Sequence, residues 1–161
     1  MEDWKLDRVG AAMRGENPTT LLRMPSGFVF LGDTQFLPGY CVLTAVPQVN
    51  HLTDLPLDRR AQFLLEMSLV GEAVMAVCAP RRINYEILGN TDAYLHAHVW
   101  ARYEWEPAQY IGGPVWRYPR EQRGAPEHAF SEERHGELRQ RIKSALETLM
   151  QHFSLALRGR S

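Results

Sequence analysis

Residues 88–102 read L-G-N-T-D-A-Y-L-H-A-H-V-W-A-R, and this run constrains the chain more than any other. Two of the six histidines, His96 and His98, stand two residues apart inside an apolar stretch. Side chains alternate faces along a β-strand, so this spacing puts both imidazoles on one side, with Tyr94 beside them. Leu95, Ala97 and Val99 then point the other way and form a small apolar surface suited to a core. The histidine side is a polar row of titratable nitrogens lying near water or a ligand. It is the candidate active site.

The 161-residue length predicts one domain, residues 1–161, able to bury an ordinary core. Eighteen basic against nineteen acidic side chains leave a formal charge of -1, which argues against gripping long nucleic acid but permits a local basic pocket. Uninterrupted apolar runs are short, and the charged start M-E-D-W-K-L-D is unlike a signal peptide. The expectation is a cytoplasmic protein with no membrane partner. Cys41 and Cys78 read as buried small hydrophobes rather than a disulfide.

Along the chain, residues 3–14 suggest a short helix, ended by Gly15-Glu16-Asn17-Pro18. Residues 20–24 and 28–31 read as strands joined through Pro25-Ser26-Gly27, and residues 40–46 as a central strand. Residues 57–79 carry Phe63, Leu64, Met67, Val70, Val74 and Val77 at helical spacing before Pro80 stops the run. Strands follow at 83–88 and 95–103, turning at Gly89-Asn90-Thr91-Asp92. Residues 105–127 hold proline, glycine and aromatic residues without period and read as a long ordered loop. It either caps the pocket with an aromatic ring or fills the groove beside the last helix, and packing is the favoured reading. A final helix begins near Ser131, with Leu138, Ile142, Ala145, Leu149 and Phe153 as its apolar stripe. This is an α+β pattern with an antiparallel sheet; no G-x-G-x-x-G or phosphate-binding glycine loop occurs.

An arbitrary H-x-H is first of all a pair of hydrogen-bonded histidines on a half-exposed strand. A metal pair is a second reading. Cupin-type metal sheets, however, put five residues between glycine and H-x-H and three or four between H-x-H and glutamate. Here six residues separate Gly89 from His96 and five separate His98 from Glu104. His128, His135 and His152 fall in or beside the last helix, so no third histidine ligand is in view. The third reading is a nucleophile. Neutral imidazole attacks phosphorus well, and a pKa near ~6.5 leaves it largely unprotonated at neutral pH. A neighbouring histidine can hold or protonate phosphate oxygens, and amides of the Gly89-Asn90-Thr91 turn can supply further donors.

Three segments decide among these. Leu37-Pro38-Gly39-Tyr40 followed by C-V-L-T-A-V, then His51-Leu52-Thr53-Asp54-Leu55 before a long helix, then Gly89-Asn90-x-x-x-Tyr94-x-His96-x-His98-x-x-x-Arg102, resemble the histidine triad family. The resemblance covers residues 28–103, with residues 3–14 and 105–157 as extensions, and looks most like the bacterial diadenosine tetraphosphate hydrolase type. It implies an α+β fold with about five antiparallel strands, a long helix, a C-terminal helix, and a homodimer that binds nucleotides. It also implies roles. His96 falls on the nucleophile, His98 on the residue that contacts the transferred phosphate, and Asn90 on a polar phosphate contact after Gly89. Asp33 lies near the position that holds ribose hydroxyls. Phe28 and Phe30 are placed to touch the base, with core packing the stronger reading for at least one. Arg102 matches an arginine that ends the motif, and either a phosphate contact or a structural ion pair suits it.

The chain departs from the family pattern at Tyr94, where the first triad histidine is expected, at Tyr40, where the family reads P-G-H, and at Ala101, commonly proline. Tyr94 is counted with the substrate contacts, and it cannot orient the nucleophile with a histidine's donor and acceptor geometry. Weak, altered or redirected activity follows as an expectation, with the nucleophile retained. The leading expectation is a hydrolase that cleaves dinucleoside polyphosphates or related nucleoside phosphate esters through a nucleotidyl-histidine and releases a nucleoside monophosphate. The alternatives are nucleotidyl transfer through the same intermediate and a nucleotide sensor with little turnover. No resident cofactor or metal is expected; Mg2+ would arrive with the substrate's phosphates.

Overall fold

The computed structural model describes residues 3–158. The N-terminal segment is not one helix. Asp3–Lys5 forms a 3₁₀ turn, and α1 spans Arg8–Met13. The break has a local cause: Asp7 caps α1, its carboxylate accepting from the Gly10 amide at 2.9 Å. Strands β1 (Thr20–Met24), β2 (Gly27–Leu31) and β3 (Cys41–Ala45) follow, then α2 (Leu57–Cys78), β4 (Arg82–Glu86) and β5 (His96–Arg102). The five strands make one antiparallel sheet in the order β1-β2-β3-β5-β4, so the histidine strand lies inside the sheet between β3 and β4.

The sheet has two different faces. Val29, Leu31, Cys41, Leu43, Ala97, Val99 and Ala101 fill the apolar one and are covered by α2 and by α5, which spans Glu132–Arg158. Leu95, Ala97 and Val99 point into this core as the two-residue period requires. The α5 stripe holds Ile142 and Leu146 fully buried, with Leu138, Ala145, Leu149 and Phe153 partly so. Ser131 caps α5, its hydroxyl accepting from the Arg134 amide.

By length and composition α2 is apolar enough to cross a membrane, yet here it is a core helix, with Phe63, Val70, Ala73 and Val74 buried. Its face also carries Glu66, fully buried, where a purely apolar stripe is the simpler expectation. The Glu66 carboxylate accepts from the Ser26 amide at 2.9 Å, from the Ser26 hydroxyl and from Gln62 Nε2. It therefore fastens the turn between β1 and β2 to the helix beneath it. Leu64, expected inward, is exposed.

Residues 105–127 are not a plain loop. Short helices α3 (Ala108–Ile111) and α4 (Arg120–Arg123) and 3₁₀ turns at Val115–Arg117 and Pro126–His128 divide the segment. Pro107, Pro114 and Pro119 each stand at the entry of one such turn, where a fixed φ and a missing N–H fit. Pieces one turn long cannot display a 3.6-residue period, which is why the sequence reads as irregular.

Replacing Glu66 with alanine leaves the Ser26 amide and hydroxyl buried without a partner. The expected loss is about 2–3 kcal/mol of stability. Urea unfolding followed by circular dichroism should show an earlier midpoint at unchanged slope; an unchanged midpoint contradicts the fastening role.

Candidate active site

Strand register assembles the site on the other face of the sheet. Thr44 of β3 lies opposite His96 and pairs on its far side with Phe28 of β2. Val42 lies opposite His98 and pairs with Phe30, while Glu86 of β4 flanks His98 from the opposite edge. Trp100 continues the histidine row. This face is less open than a half-exposed polar row would be. His96, between the rings of Tyr94 and His98, is 7% exposed, and Trp100 is 2% exposed in a second, aromatic core built with Phe36, Leu37, Tyr40, Val115 and Tyr118. Both histidines nevertheless line a cleft of about 330 Å³, bordered by Phe30, Asp33, Tyr40 and Tyr94.

The His96 ring is held by the main chain. Its Nδ1 lies 2.8 Å from the carbonyl oxygen of Tyr94. A carbonyl only accepts, so Nδ1 carries the hydrogen and the neutral ring keeps its lone pair on Nε2. The orienting bond at position 94 therefore comes from the backbone and survives any side chain there. The Tyr94 ring instead tilts against His96, with centroids 5.1 Å apart, and forms part of the cleft wall.

His98 stands beside His96 with ring centroids 4.8 Å apart. Its Nδ1 is 2.6 Å from the Tyr40 hydroxyl. Burial first, and the adjacent His96 second, push the His98 pKa down to about 4, so the ring is neutral at neutral pH. Burial pushes the Tyr40 phenol far above its ordinary range, so it keeps its hydrogen. The Tyr40 ring lies flat on Trp100, 3.4 Å between centroids and 2° between planes. On its other side is Gly32, where a Cβ would come within 2.0 Å of the tyrosine ring. Glycine at 32 is what lets the ring lie there. In the sequence Tyr40 is only a departure from P-G-H; its register position opposite Trp100 is the signal that it faces the histidines.

The remaining expected residues fall into three groups. Gly89 and Asn90 lie in an adjoining cleft that shares His96, His98 and Trp116. Gly89 has φ +117, a left-handed conformation that favours glycine. Asp33 and Phe30 line the main cleft, and Asp33 is engaged by Arg8 of α1 at 2.7 and 2.5 Å. Phe28 packs with Phe30 and Val9 in a small cluster under α1 and is absent from the cleft wall, so packing is its role.

Arg102 is a correction to its expected place among the substrate contacts. It is 3% exposed, and all its donors are taken by protein groups: Glu106 from Nε and Nη2, Asn84 and the Gly113 carbonyl from Nη1, and the Tyr110 carbonyl from Nη2. Of the two readings open for it, the structural ion pair holds. Burial raises the Glu106 pKa, but Arg102, the Tyr103 amide and the Tyr118 hydroxyl outweigh it and hold the carboxyl below its ordinary value.

Trp116, Arg120 and Arg123, from the segment without period, also reach the cleft. Trp116 meets His98 edge-on with centroids 5.6 Å apart, and its Nε1 donates to Glu86 at 2.8 Å. Tyr118 packs under the histidine face, 5.2 Å from Phe36 between centroids. Trp116 thus lines the cleft, and Tyr118 packs in the aromatic core on the histidine face rather than in the expected groove beside the last helix. Among the described residues no group of three or more His, Cys, Asp or Glu side chains could hold a metal ion.

Solved structures share this five-stranded antiparallel sheet and its helices. A histidine triad protein from Marinobacter aquaeolei is 25% identical, covering 89% of this chain and 95% of that one with a TM-score of 0.68. The fold is that of the histidine triad proteins. A histidine triad protein from Sinorhizobium meliloti matches at 24% identity over 78% of this chain and 87% of its own, TM-score 0.66. The diadenosine triphosphate hydrolase of Plasmodium falciparum matches at 16% identity over 81% and 78%, TM-score 0.58. No sequence-family profile matches the chain, and no curated protein sequence does.

A histidine that stays neutral so far down is directly visible. In a heteronuclear NMR titration, the His98 ring nitrogens should keep their neutral pattern until the pH approaches about 4. Protonation near the ordinary histidine value, ~6.5, would contradict the packing of Tyr40, Trp100 and His96 around it.

Proposed function

We propose that this histidine triad protein cleaves dinucleoside polyphosphates or related nucleoside phosphate esters through a nucleotidyl-histidine on His96. The observation that carries the reading is the Nδ1 bond to the Tyr94 carbonyl, which selects the tautomer whose lone pair is on Nε2, with His98 beside it in a cleft. His96 Nε2 attacks the phosphorus next to the nucleoside, and the bond from that phosphorus to its bridging oxygen breaks. The electron pair leaves with that oxygen. The Tyr94 carbonyl keeps the ring aimed while positive charge develops on it. Water then attacks the same phosphorus, the N–P bond breaks, and a nucleoside monophosphate departs as a proton passes to solvent.

Tyr40 gives its hydrogen to His98 Nδ1, which places the His98 hydrogen on Nε2 as a donor to the oxygens of the transferred phosphate or the leaving group. Asn90 contributes a polar contact and the turn after Gly89 its amides. Asp33 still has a lone pair on each oxygen beyond those used by Arg8, enough to accept ribose hydroxyls. Phe30 and Tyr94 supply apolar wall for the base. The similar Plasmodium protein is a diadenosine triphosphate hydrolase, in keeping with this reading. Transfer uses the same intermediate with another acceptor in place of water. The backbone origin of the orienting bond favours turnover over a sensor.

Incubation with labelled diadenosine tetraphosphate and quenching in denaturant should yield label on His96 as a phosphoramidate, with free AMP as product. Dependence of product on added inorganic phosphate indicates transfer; tight binding without adduct or product indicates a sensor. His96→Asn should lower kcat/KM by about 10³-fold or more. Tyr94→Phe should cost less than about tenfold, because the carbonyl remains.

A further inference from the structure

Trp116, Arg120 and Arg123 have no counterpart in the cleavage chemistry, yet all three line the cleft. Their arrangement is specific. Glu86 holds the Trp116 indole through Nε1, and the Arg123 guanidinium lies over the indole with its Cζ 4.8 Å from the centroid. Arg123 Nε donates to the Tyr118 carbonyl at 3.1 Å, and Thr34 Oγ1 donates to the Arg123 carbonyl at 2.6 Å, so both ends of the residue are fixed. These bonds leave the two Nη nitrogens of Arg123 without a protein partner among the described residues. That half-buried fork, on the cleft wall, matches two oxygens of a phosphate. The Arg120 side chain, one turn earlier and exposed, likewise has no ion pair or hydrogen bond among the described residues.

The charges facing this corner are few. Arg8 is spent on Asp33, and Glu86 faces the indole N–H. Asp92 is the remaining carboxylate on the cleft wall, against two unpaired guanidinium groups. The indole bridges the distance, lying edge-on to His98 at 5.6 Å and under Arg123 at 4.8 Å. A phosphate chain whose first phosphorus sits at His96 and which passes His98 therefore runs toward Arg123.

We propose that Arg123 and Arg120, set by Trp116, form a subsite for the anionic leaving group: the second and later phosphates of a nucleoside polyphosphate. The assignment rests on His96 receiving the first phosphorus, and it makes the protein selective for polyphosphate chains over esters with an uncharged leaving group.

Calorimetric titration of the full chain with α,β-methylene-ATP, which has no cleavable oxygen bridge next to the first phosphorus, and with AMP separates this subsite from turnover. The ATP analogue should bind at least tenfold more tightly than AMP, with the preference shrinking as NaCl rises. Arg123→Ala and Arg120→Ala should each reduce the ratio of the two affinities by about threefold to tenfold, and the double variant should abolish the preference. The exposed, unpartnered Arg120 gives a variant whose folding is not in question, and Arg123→Lys should restore part of the ratio. Equal binding of the two ligands to the wild type, or a ratio unchanged in the double variant, overturns the proposal. A preference that persists while labelled diadenosine tetraphosphate gives neither adduct nor AMP keeps the subsite and removes the hydrolase reading.

Discussion

A single hydrogen bond, from the His96 ring to the carbonyl of Tyr94, governs what this site can do. It selects the tautomer, and with it the nitrogen that can attack. Because the acceptor is main chain, the bond depends on where the backbone enters β5 rather than on which residue occupies position 94. That entry is itself fixed: the Leu95 amide donates to the Val49 carbonyl at 2.6 Å, and the Ala45 amide to the Leu95 carbonyl at 3.1 Å. The setting of the His96 ring thus rests on sheet register, and the Tyr94 side chain takes no part in the bond that holds it.

The same register couples stability to function. An inner strand must satisfy both neighbours and both faces, and β5 does so with small residues toward the helices and large rings toward the cleft. The Tyr40–Trp100 stack belongs equally to the packing of the second core and to the setting of His98. Arg102 and Glu106 anchor the other end of the arrangement. Removing one partner would strand a buried charge, whereas the pair together chiefly fixes one geometry. What it fixes is the path of residues 103–130, which must cross the histidine face for Trp116 and Tyr118 to arrive where they do.

The parts legible in the sequence were those with a period. Alternation in residues 95–103 placed His96 and His98 correctly against Ala97 and Val99, and helical spacing located α2 and α5 to within a residue or two. Periodicity is blind to a polar group inside an apolar stripe, so Glu66 went unseen. It is equally blind to one-turn helices, so the shape of 105–127 stayed hidden although its prolines marked every entry. Residues brought together across the sheet or from distant segments have no local signature. Tyr40 with His98, Glu86 with Trp116, and Arg8 with Asp33 are pairings of this kind. Arg102 shows the converse: a motif position whose charge the local sequence could not assign, settled by an acid four residues on.

Strand and specificity are consequently built from different material. His96 and His98 sit on an inner strand of the sheet, where a one-residue shift in register would turn them into the opposite core. The cleft walls come instead from α1, which brings Arg8 to Asp33, and from the segment after β5, which brings Trp116, Arg120 and Arg123. Those pieces are held by side-chain bonds and proline-started turns rather than by the ladder, so they can vary without moving His96. A sheet that fixes the paired histidines, with charged segments that form the cleft walls around them, separates the two demands physically. The polar half of the cleft supports this division: its acid on the α1 side is already paired, whereas its guanidinium groups on the far side are not.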